Sequence, residues 1–428
     1  MQPTPQRYWL LLLLIVSLAC APWRSTPTAP PATPTVALTT PSITRSPVRY
    51  EQPFIEIWEL VRENYVYNDY NGVDWDAVRD EFTPRVAQAT SDEDFWLLMQ
   101  EMIERLDDQH SGFLTPEQAR DEDQSLSGNL DYVGIGVYLT VPKEQSYAVV
   151  LLTFPDSPAE AVGIRAHDRI LEIDGTPACC DLNGYDNLDL ISGPEGTPVT
   201  LTVQTPGSPP RQVTAQRARI QAQLPTPARR IATPLGDVGY ILIPTFWDTG
   251  VAKRAITTME SLLAEGPIIG WVIDMRINGG GAFTQLYPLL ALFVEGNVGH
   301  FLARGDEIRP LEVQPAPLGD SQTLPLVILI GPETASYGEV FSGALQAVER
   351  ALLVGEPTAG NVETVYLYDL KDGSRLWLAQ ETFVPVDGAY WEGVGVQPDI
   401  LALARWEDIS DSYDPGLQAA LEALQATP

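Results

Sequence analysis

The residue best placed to do covalent chemistry is a serine. Ser336 lies in the stretch Leu326–Asn361, LVILIGPETASYGEVFSGALQAVERALLVGEPTAGN. The apolar run Leu326–Ile330 predicts a strand buried on both faces, and Val340, Leu345 and Val348 then recur at helical spacing. Ser336 therefore falls on a strand-to-helix turn. A serine there presents its hydroxyl beside amides that the helix leaves unpaired, and such amides can stabilise an oxyanion. An ordinary N-cap serine fits the same pattern. A serine nucleophile needs a base, and the chain has three histidines. His167 lies in an Arg-Ala-His-Asp-Arg turn and His300 ends a glycine-rich stretch, whereas His110 sits in Leu106–Pro116, LDDQHSGFLTP, at the close of a helical region. An imidazole titrates near neutral pH, which suits a general base; a structural histidine in a helix-terminating loop is the alternative. A second turn, Asp274–Gly281, follows the apolar run Ile268–Met275. Glycines at the carboxyl end of a parallel strand let bare amides approach a substrate, and a plain tight turn would also use them.

These groups are far apart in sequence, so the fold has to bring them together. The length, 428 residues, exceeds what one core usually holds, and two or three domains are expected. The balance of 26 Lys+Arg against 57 Asp+Glu, net −31, argues against a nucleic-acid partner and against a basic face on anionic lipid; solubility accounts for the same charge. Residues 1–20 carry Arg7, an apolar run Tyr8–Leu18 and a small residue before Cys20, the pattern of a secretory signal too short to span a membrane comfortably. Pro, Thr, Ala and Ser dominate up to Pro47, so residues 21–49 read as an extended tether. Helical periodicity then places Phe54, Ile57, Trp58, Val61 and Tyr65 on one face, and Phe95, Leu98, Met99, Met102, Ile103 and Leu106 on a second, with Asp74, Ser91 and Asp94 as helix starts. Cys179 and Cys180 are adjacent; a bridge between neighbours is strained and closes no useful loop, so two free thiols are expected. Thr205–Pro210 reads as a turn-rich exit. Beyond it strand and helix alternate, with strands at Val238–Ile243, Ile268–Met275 and Trp377–Phe383 and a helix at Val251–Leu263, as in an α/β sheet.

TASYGE, followed by Leu352–Gly360, LLVGEPTAG, closely resembles the nucleophile segment of the carboxyl-terminal processing peptidases, a serine-peptidase family that also includes the core of tricorn protease. The resemblance implies that Ser336 is the nucleophile. In the bacterial processing branch a lysine in the following glycine loop is the base. That position, 25 residues after Ser336, holds Asn361, which cannot take a proton at neutral pH. The nearest lysine, Lys371, belongs to a Lys-Asp-Gly turn that reads as a hairpin tip. In the tricorn branch a histidine matching His110 is the base, and a glutamate matching Glu392, in the closing motif Glu392–Asp399, completes the relay. Asp274–Gly281 resembles the family's Asp-Leu-Arg-Asn-Asn-x-Gly-Gly turn, which implies an oxyanion hole of Gly279 or Gly280 with the amide of Tyr337. Asp131 to about Gly207 resembles a PDZ domain, with Gly134, Ile135, Gly136 and Val137 in the loop that holds a peptide's terminal carboxylate. Ser-Leu-Ala-Cys resembles a bacterial lipobox, with Cys20 as the lipidated first residue.

Taken together, the resemblance covers roughly residues 50–410 and implies an α+β multidomain chain. Its parts are a signal peptide of lipoprotein type (1–20), a linker (21–49), a helical domain (50–128), a PDZ domain (129–207) and an α/β, ClpP/crotonase-like serine-peptidase core (208–428). It implies a hydrolase of protein or peptide substrates, guided by PDZ recognition of carboxyl ends, with a Ser-His-Glu rather than Ser-Lys site and no metal or cofactor. The protein is expected to be exported and held in the cell envelope, facing the extracytoplasmic side, through a Cys20 anchor in the bilayer. A catalytically inactive, peptide-binding member of the same family is the alternative; a peptidase fold that binds a small apolar ligand is another.

Overall fold

A computed structural model describes residues 48–426 apart from 109, 127–129, 143–144, 180–186 and 411. The expected signal, most of the tether, the Cys20 anchor and Cys180 lie outside the described residues.

Three helices open the described chain: Val48–Asn64, Trp75–Val86 and Asp92–Ile103. The first begins two residues inside the stretch read as linker. Asp74 caps the second by accepting from the amide of Ala77, and Ser91 with Asp94 forms a full capping box on the third. Their apolar faces meet as the periodicity requires, burying Phe54, Ile57, Trp58, Val61, Tyr65, Phe95, Met99 and Met102, with Leu98 packed at the edge. The same cluster takes in Leu376, Leu378 and Ala379 of the long strand Arg375–Pro385, so the helices rest on a sheet of the core. A short strand, Gly112–Leu114, pairs antiparallel with that long strand and carries the chain out of the helical region.

The next unit is a sheet in the order Val137–Thr140, Ala148–Thr153, Arg169–Ile173, Pro198–Gln204, Arg211–Gln216. Asp174 and Gly175, both at positive φ (49° and 80°), make the tight turn after its third strand. Thr205–Pro210 is not an exit. It is the turn of a hairpin, because Arg211–Gln216 returns antiparallel along Pro198–Gln204. The strand Ala218–Ala222 then pairs with Leu130–Gly134, so the unit closes near residue 222 rather than 207. Turn residues mark a reversal as readily as a departure, and the pattern alone did not separate the two.

The core holds a six-stranded sheet in the order Ala228–Thr233, Gly236–Leu242, Gly270–Asp274, Leu326–Ile330, Leu352–Gly355, Ile400–Leu401. The first pair is antiparallel and the rest are parallel. Side chains alternate with the pleat. Ile241, Ile273, Ile328, Ile330 and Leu353 face the helices Val251–Ala264, Phe283–Phe293 and Tyr337–Ala347. Leu242, Val272, Val327, Leu329 and Val354 face the closing helix Pro415–Ala426 and Leu151, Leu152 and Phe154 of the preceding unit. Burying each such side chain contributes roughly 1.5–3 kcal/mol, which fixes the register and hence where each parallel strand ends. A second sheet combines Gly112–Leu114, Arg375–Pro385, Gly296–Ala303 and Glu307–Val313, with Glu363–Asp369 on the long strand. His300 is a sheet residue within it.

Candidate active site

The buried strand Leu326–Ile330 ends just before the turn that carries Ser336. Ser336 has φ 52° and ψ −125°, a conformation that a residue with a side chain rarely adopts, immediately ahead of the helix Tyr337–Ala347. The Ser336 amide donates to the Asn361 carbonyl at 2.7 Å and to Oε2 of Glu339 at 3.0 Å. Glu339 is fully buried. It also accepts from Thr358 Oγ1 (2.5 Å) and from the amides of Gly360 (2.8 Å) and Asn361 (2.8 Å). Burial raises its carboxyl above the usual range, and these donors pull the other way. Glu339 thereby clamps loop 358–361 beside the serine. The sequence reading did not name it, although the spacing Ser336-x-x-Glu339 is a capping-box signal.

The glycine turn docks against the serine turn. The Ala335 amide donates to the Asn278 carbonyl at 3.0 Å, and Thr334 Oγ1 donates to the Met275 carbonyl at 2.9 Å. Gly280, at φ 87°, lies so close that a methyl group on it would stand 2.6 Å from Ser336 Cβ and 3.0 Å from Oγ. Only glycine permits that approach. The Gly280 amide, however, donates to Asn278 Oδ1 at 2.9 Å. Beside Gly279 a side chain would meet nothing within 4 Å. Tyr337 is the first residue of the helix, where an amide lacks an intrahelical acceptor.

His110 reaches the core through a pinned loop. Asp108 Oδ1 accepts from the amides of His110 (2.9 Å) and Ser111 (2.6 Å), and Oδ2 accepts from Ser111 Oγ (2.9 Å). Ser111 Oγ accepts in turn from the Ala379 amide of the long strand at 3.1 Å. The His110 side chain is 6% exposed, and its Nε2 lies 3.3 Å from Glu392 Oε1 and 3.4 Å from Glu363 Oε2. The other Glu392 oxygen accepts from the Val362 amide at 2.9 Å. Burial lowers the His110 pKa, but the hydrogen bond with Glu392 and the charges of Glu363 and Glu392 outweigh it, so the net shift is upward. Burial, with the nearby Glu392 charge, pushes Glu363 up to about 7. Thus two of the three residues assigned to the relay, His110 and Glu392, are in contact. Ser336 stands one loop away, its amide bonded to the residue just before Val362. Among the described residues no hydrogen bond joins His110 to Ser336. Glu363, which opens a strand, went unnamed because nothing local in the sequence marks it. Asn361 does lie against Ser336, while Lys371 is 91% exposed at the hairpin tip and pairs with Glu56 at 3.6 Å.

In the smaller sheet unit, Gly134 ends one strand and Val137 begins the edge strand Val137–Thr140. Ile135 is buried, and the carbonyls of Ile135 and Gly136 accept from the amides of Ala159 (2.9 Å) and Phe154 (3.0 Å). The Tyr132 ring packs against Gly134. Burial pushes its phenol up to about 12, and the neighbouring backbone of Val137 and Gly136 opposes that shift. Cys179 is disulfide-bonded, with its partner outside the described residues, which overturns the expectation of two free thiols. That expectation weighed strain between neighbours and left out the oxidising compartment that a leader implies.

A serine on a strained strand-to-helix turn, facing a glycine turn, has the arrangement that serine-type hydrolysis calls for. The sequence profile of Peptidase family S41 matches residues 237–402, that of the tricorn protease C1 domain residues 47–104, and that of the PDZ domain residues 155–205. A carboxyl-terminal-processing protease of Picosynechococcus is 32% identical over 375 residues, covering 86% of this chain and 88% of its own. The chloroplastic C-terminal processing peptidase of Tetradesmus obliquus is 30% identical over 361 residues, covering 81% and 76%. Among solved structures, the photosystem II D1 C-terminal processing protease superposes with a TM-score of 0.62 at 25% identity, covering 89% of this chain and 98% of its own. The chain belongs to peptidase family S41, the carboxyl-terminal processing proteases, and is a serine-type peptidase with an amino-terminal helical region, a PDZ domain and an α/β core. Its substrates are proteins or peptides.

Proposed function

We propose that the protein is an exported, lipid-anchored processing peptidase that captures carboxyl ends through its PDZ domain and cleaves with a Ser-His-Glu site. The observation that carries this reading is the contact between His110 and Glu392 in a chain whose lysine position, against Ser336, is Asn361. Glu392 holds the imidazole through Nε2, which leaves Nδ1 as the nitrogen for the serine proton. Substrate binding has to bring that nitrogen within hydrogen-bond reach of Ser336, as catalytic hydrogen bonds often tighten only in the complex. The oxyanion donors are the amides of Gly279 and Tyr337, since the Gly280 amide is engaged by Asn278 and its glycine serves close packing. Gly134, Ile135, Gly136 and Val137 receive the terminal carboxylate, and the peptide extends the open edge strand that follows. Cys20 is the lipidated first residue, and residues 21–47 tether the enzyme to the envelope. Among the described residues no helix is long and apolar enough to cross a membrane.

Comparing Ser336→Ala, His110→Ala and Asn361→Lys on a peptide substrate tests the site. We expect loss in both alanine variants, by roughly 100- to 10,000-fold for His110→Ala. Undiminished activity in folded His110→Ala refutes the base. Asn361 and the missing Ser336–His110 bond also favour a second reading, a silent peptide-binding member. Activity that appears only in Asn361→Lys would support that one. Mass spectrometry of the mature amino terminus tests the anchor, which fails if an unmodified chain begins beyond Cys20.

A further inference from the structure

Away from the serine turn, Nε2 of His110 and one carboxylate oxygen each of Glu363 and Glu392 all lie within 4.8 Å of one another. The separations from Nε2 are 3.3 Å to Glu392 and 3.4 Å to Glu363. Both are long for a hydrogen bond between opposite charges, which closes to about 2.7–2.9 Å. They match the edge of a tetrahedron around zinc, where ligands at about 2.0–2.1 Å from the ion stand roughly 3.3 Å apart.

An independent observation concerns Glu363. Its Oε2, on a residue 3% exposed, is buried without a hydrogen-bond partner, and it is this oxygen that faces the imidazole nitrogen. Buried carboxylate oxygens are ordinarily satisfied, so an unbonded oxygen inside a cluster of donor atoms is suited to bind a cation. A further feature of a metal site is also present: the Val362 amide fixes the outer oxygen of Glu392, the kind of outer contact that orients a ligand. Among the described residues Glu363 pairs with His110, and no Lys or Arg forms an ion pair with it. An imidazole nitrogen and two carboxylate oxygens are donors that a divalent zinc ion accepts.

We propose that His110, Glu363 and Glu392 bind one zinc ion, with a fourth position open to water, and that the ion silences the peptidase by occupying His110. Binding takes the imidazole as its neutral form and both carboxylates as anions, releasing to solvent whatever protons they held. The binding site stands on geometry alone, whereas the silencing rests on His110 being the general base.

The test uses the purified full chain, stripped with a chelator and titrated with zinc chloride against a chromogenic chelator. We expect one zinc per chain, at least a tenfold loss of affinity in Glu363→Gln and in His110→Ala, and no loss in Ser336→Ala. Melting curves verify that each variant is folded. X-ray absorption of the zinc-loaded wild type gives a readout free of mutations: a nitrogen and oxygen shell near 2.0–2.1 Å with imidazole scattering supports the site. No stoichiometric zinc, a sulfur ligand, or a folded Glu363→Gln that binds as tightly as wild type overturns it. In the same titration, labelling of Ser336 by a fluorophosphonate should slow about 100-fold or more as zinc binds. Zinc bound with the expected variant pattern but labelling unchanged refutes the silencing, and with it the assignment of His110 as base, while leaving the metal site intact.

Discussion

At the scale of single residues, the candidate site depends on backbone positions that few residue types can occupy and on side chains that meet only across the fold. Ser336, Gly280 and Asn361 sit in runs whose glycine and serine pattern demands a particular backbone, so their neighbourhood followed from the chain alone. Glu339 was within reach through its capping-box spacing. Glu363 was not, because its meaning depends on a histidine more than two hundred residues away that only tertiary pairing delivers. The two glycines of the turn beside Ser336 now make different predictions. Gly280→Ala combines a left-handed backbone, at roughly 1–3 kcal/mol of strain, with a clash against Ser336. It should lower the melting temperature and abolish labelling of Ser336. Gly279→Ala meets open space and should keep the melting temperature within a few degrees. A Gly280→Ala protein as stable and as reactive as wild type contradicts the close approach. Glu339→Gln, which weakens the acceptor for four donors, should cost about 1–3 kcal/mol and slow labelling as loop 358–361 loosens. Chemical denaturation measures the first effect.

For the elements, periodicity carried the reading well in regular segments. The strand Leu326–Ile330 and the helices around Trp58 and Met99 fell where their apolar spacing put them, because burial enforces that spacing. It failed at connections. Thr205–Pro210 is a hairpin turn, and Gly112–Leu114 is a strand of the core sheet inside a stretch read as helical. Three residues cannot show a period, and they are strand only because the long strand pairs with them. The loop proposed to receive a carboxylate gives the prediction at this scale. The Tyr132 phenol lies beside the backbone of Gly136 and Val137, whose amides a peptide carboxylate would need. Tyr132→Phe keeps the ring against Gly134 and removes the hydroxyl beside those amides, so a fluorescent peptide with an apolar, free carboxyl end should bind several-fold more tightly. The amidated peptide should gain nothing. Equal tightening of both peptides, or none of either, removes Tyr132 from the carboxylate loop.

The whole molecule is held together by contacts that only an assembled chain possesses. His110 leaves the helical region to meet carboxylates of the core, and the PDZ domain is clasped to the core by His167. There Nδ1 donates to the Trp406 carbonyl at 2.8 Å, the ring centroids are 4.3 Å apart, and Arg276, Asp414 and Asp274 lie nearby. Burial lowers the His167 pKa, the Arg276 charge adds to this, and the Trp406 carbonyl and both aspartates oppose it. The folded state therefore resists a proton that the unfolded chain accepts near its ordinary value of about 6.5. This contribution to stability is complete above that pH and is lost progressively as the pH falls below it. His167→Asn suits the left-handed backbone there, at φ 74°, and cannot titrate. Between pH 7.5 and 5.5 the melting temperature of wild type should fall further than that of His167→Asn, and parallel curves contradict the clasp. The central claim is that a chain lacking the family lysine still activates Ser336, and does so with His110. Its most direct measurement is the rate at which a fluorophosphonate forms a covalent adduct on Ser336, read by mass spectrometry in chelator-treated wild type and in folded His110→Ala. The account predicts an adduct on wild-type Ser336 and a rate at least about 100-fold lower without the imidazole; an unreactive wild type, or a His110→Ala protein that labels as fast, contradicts it.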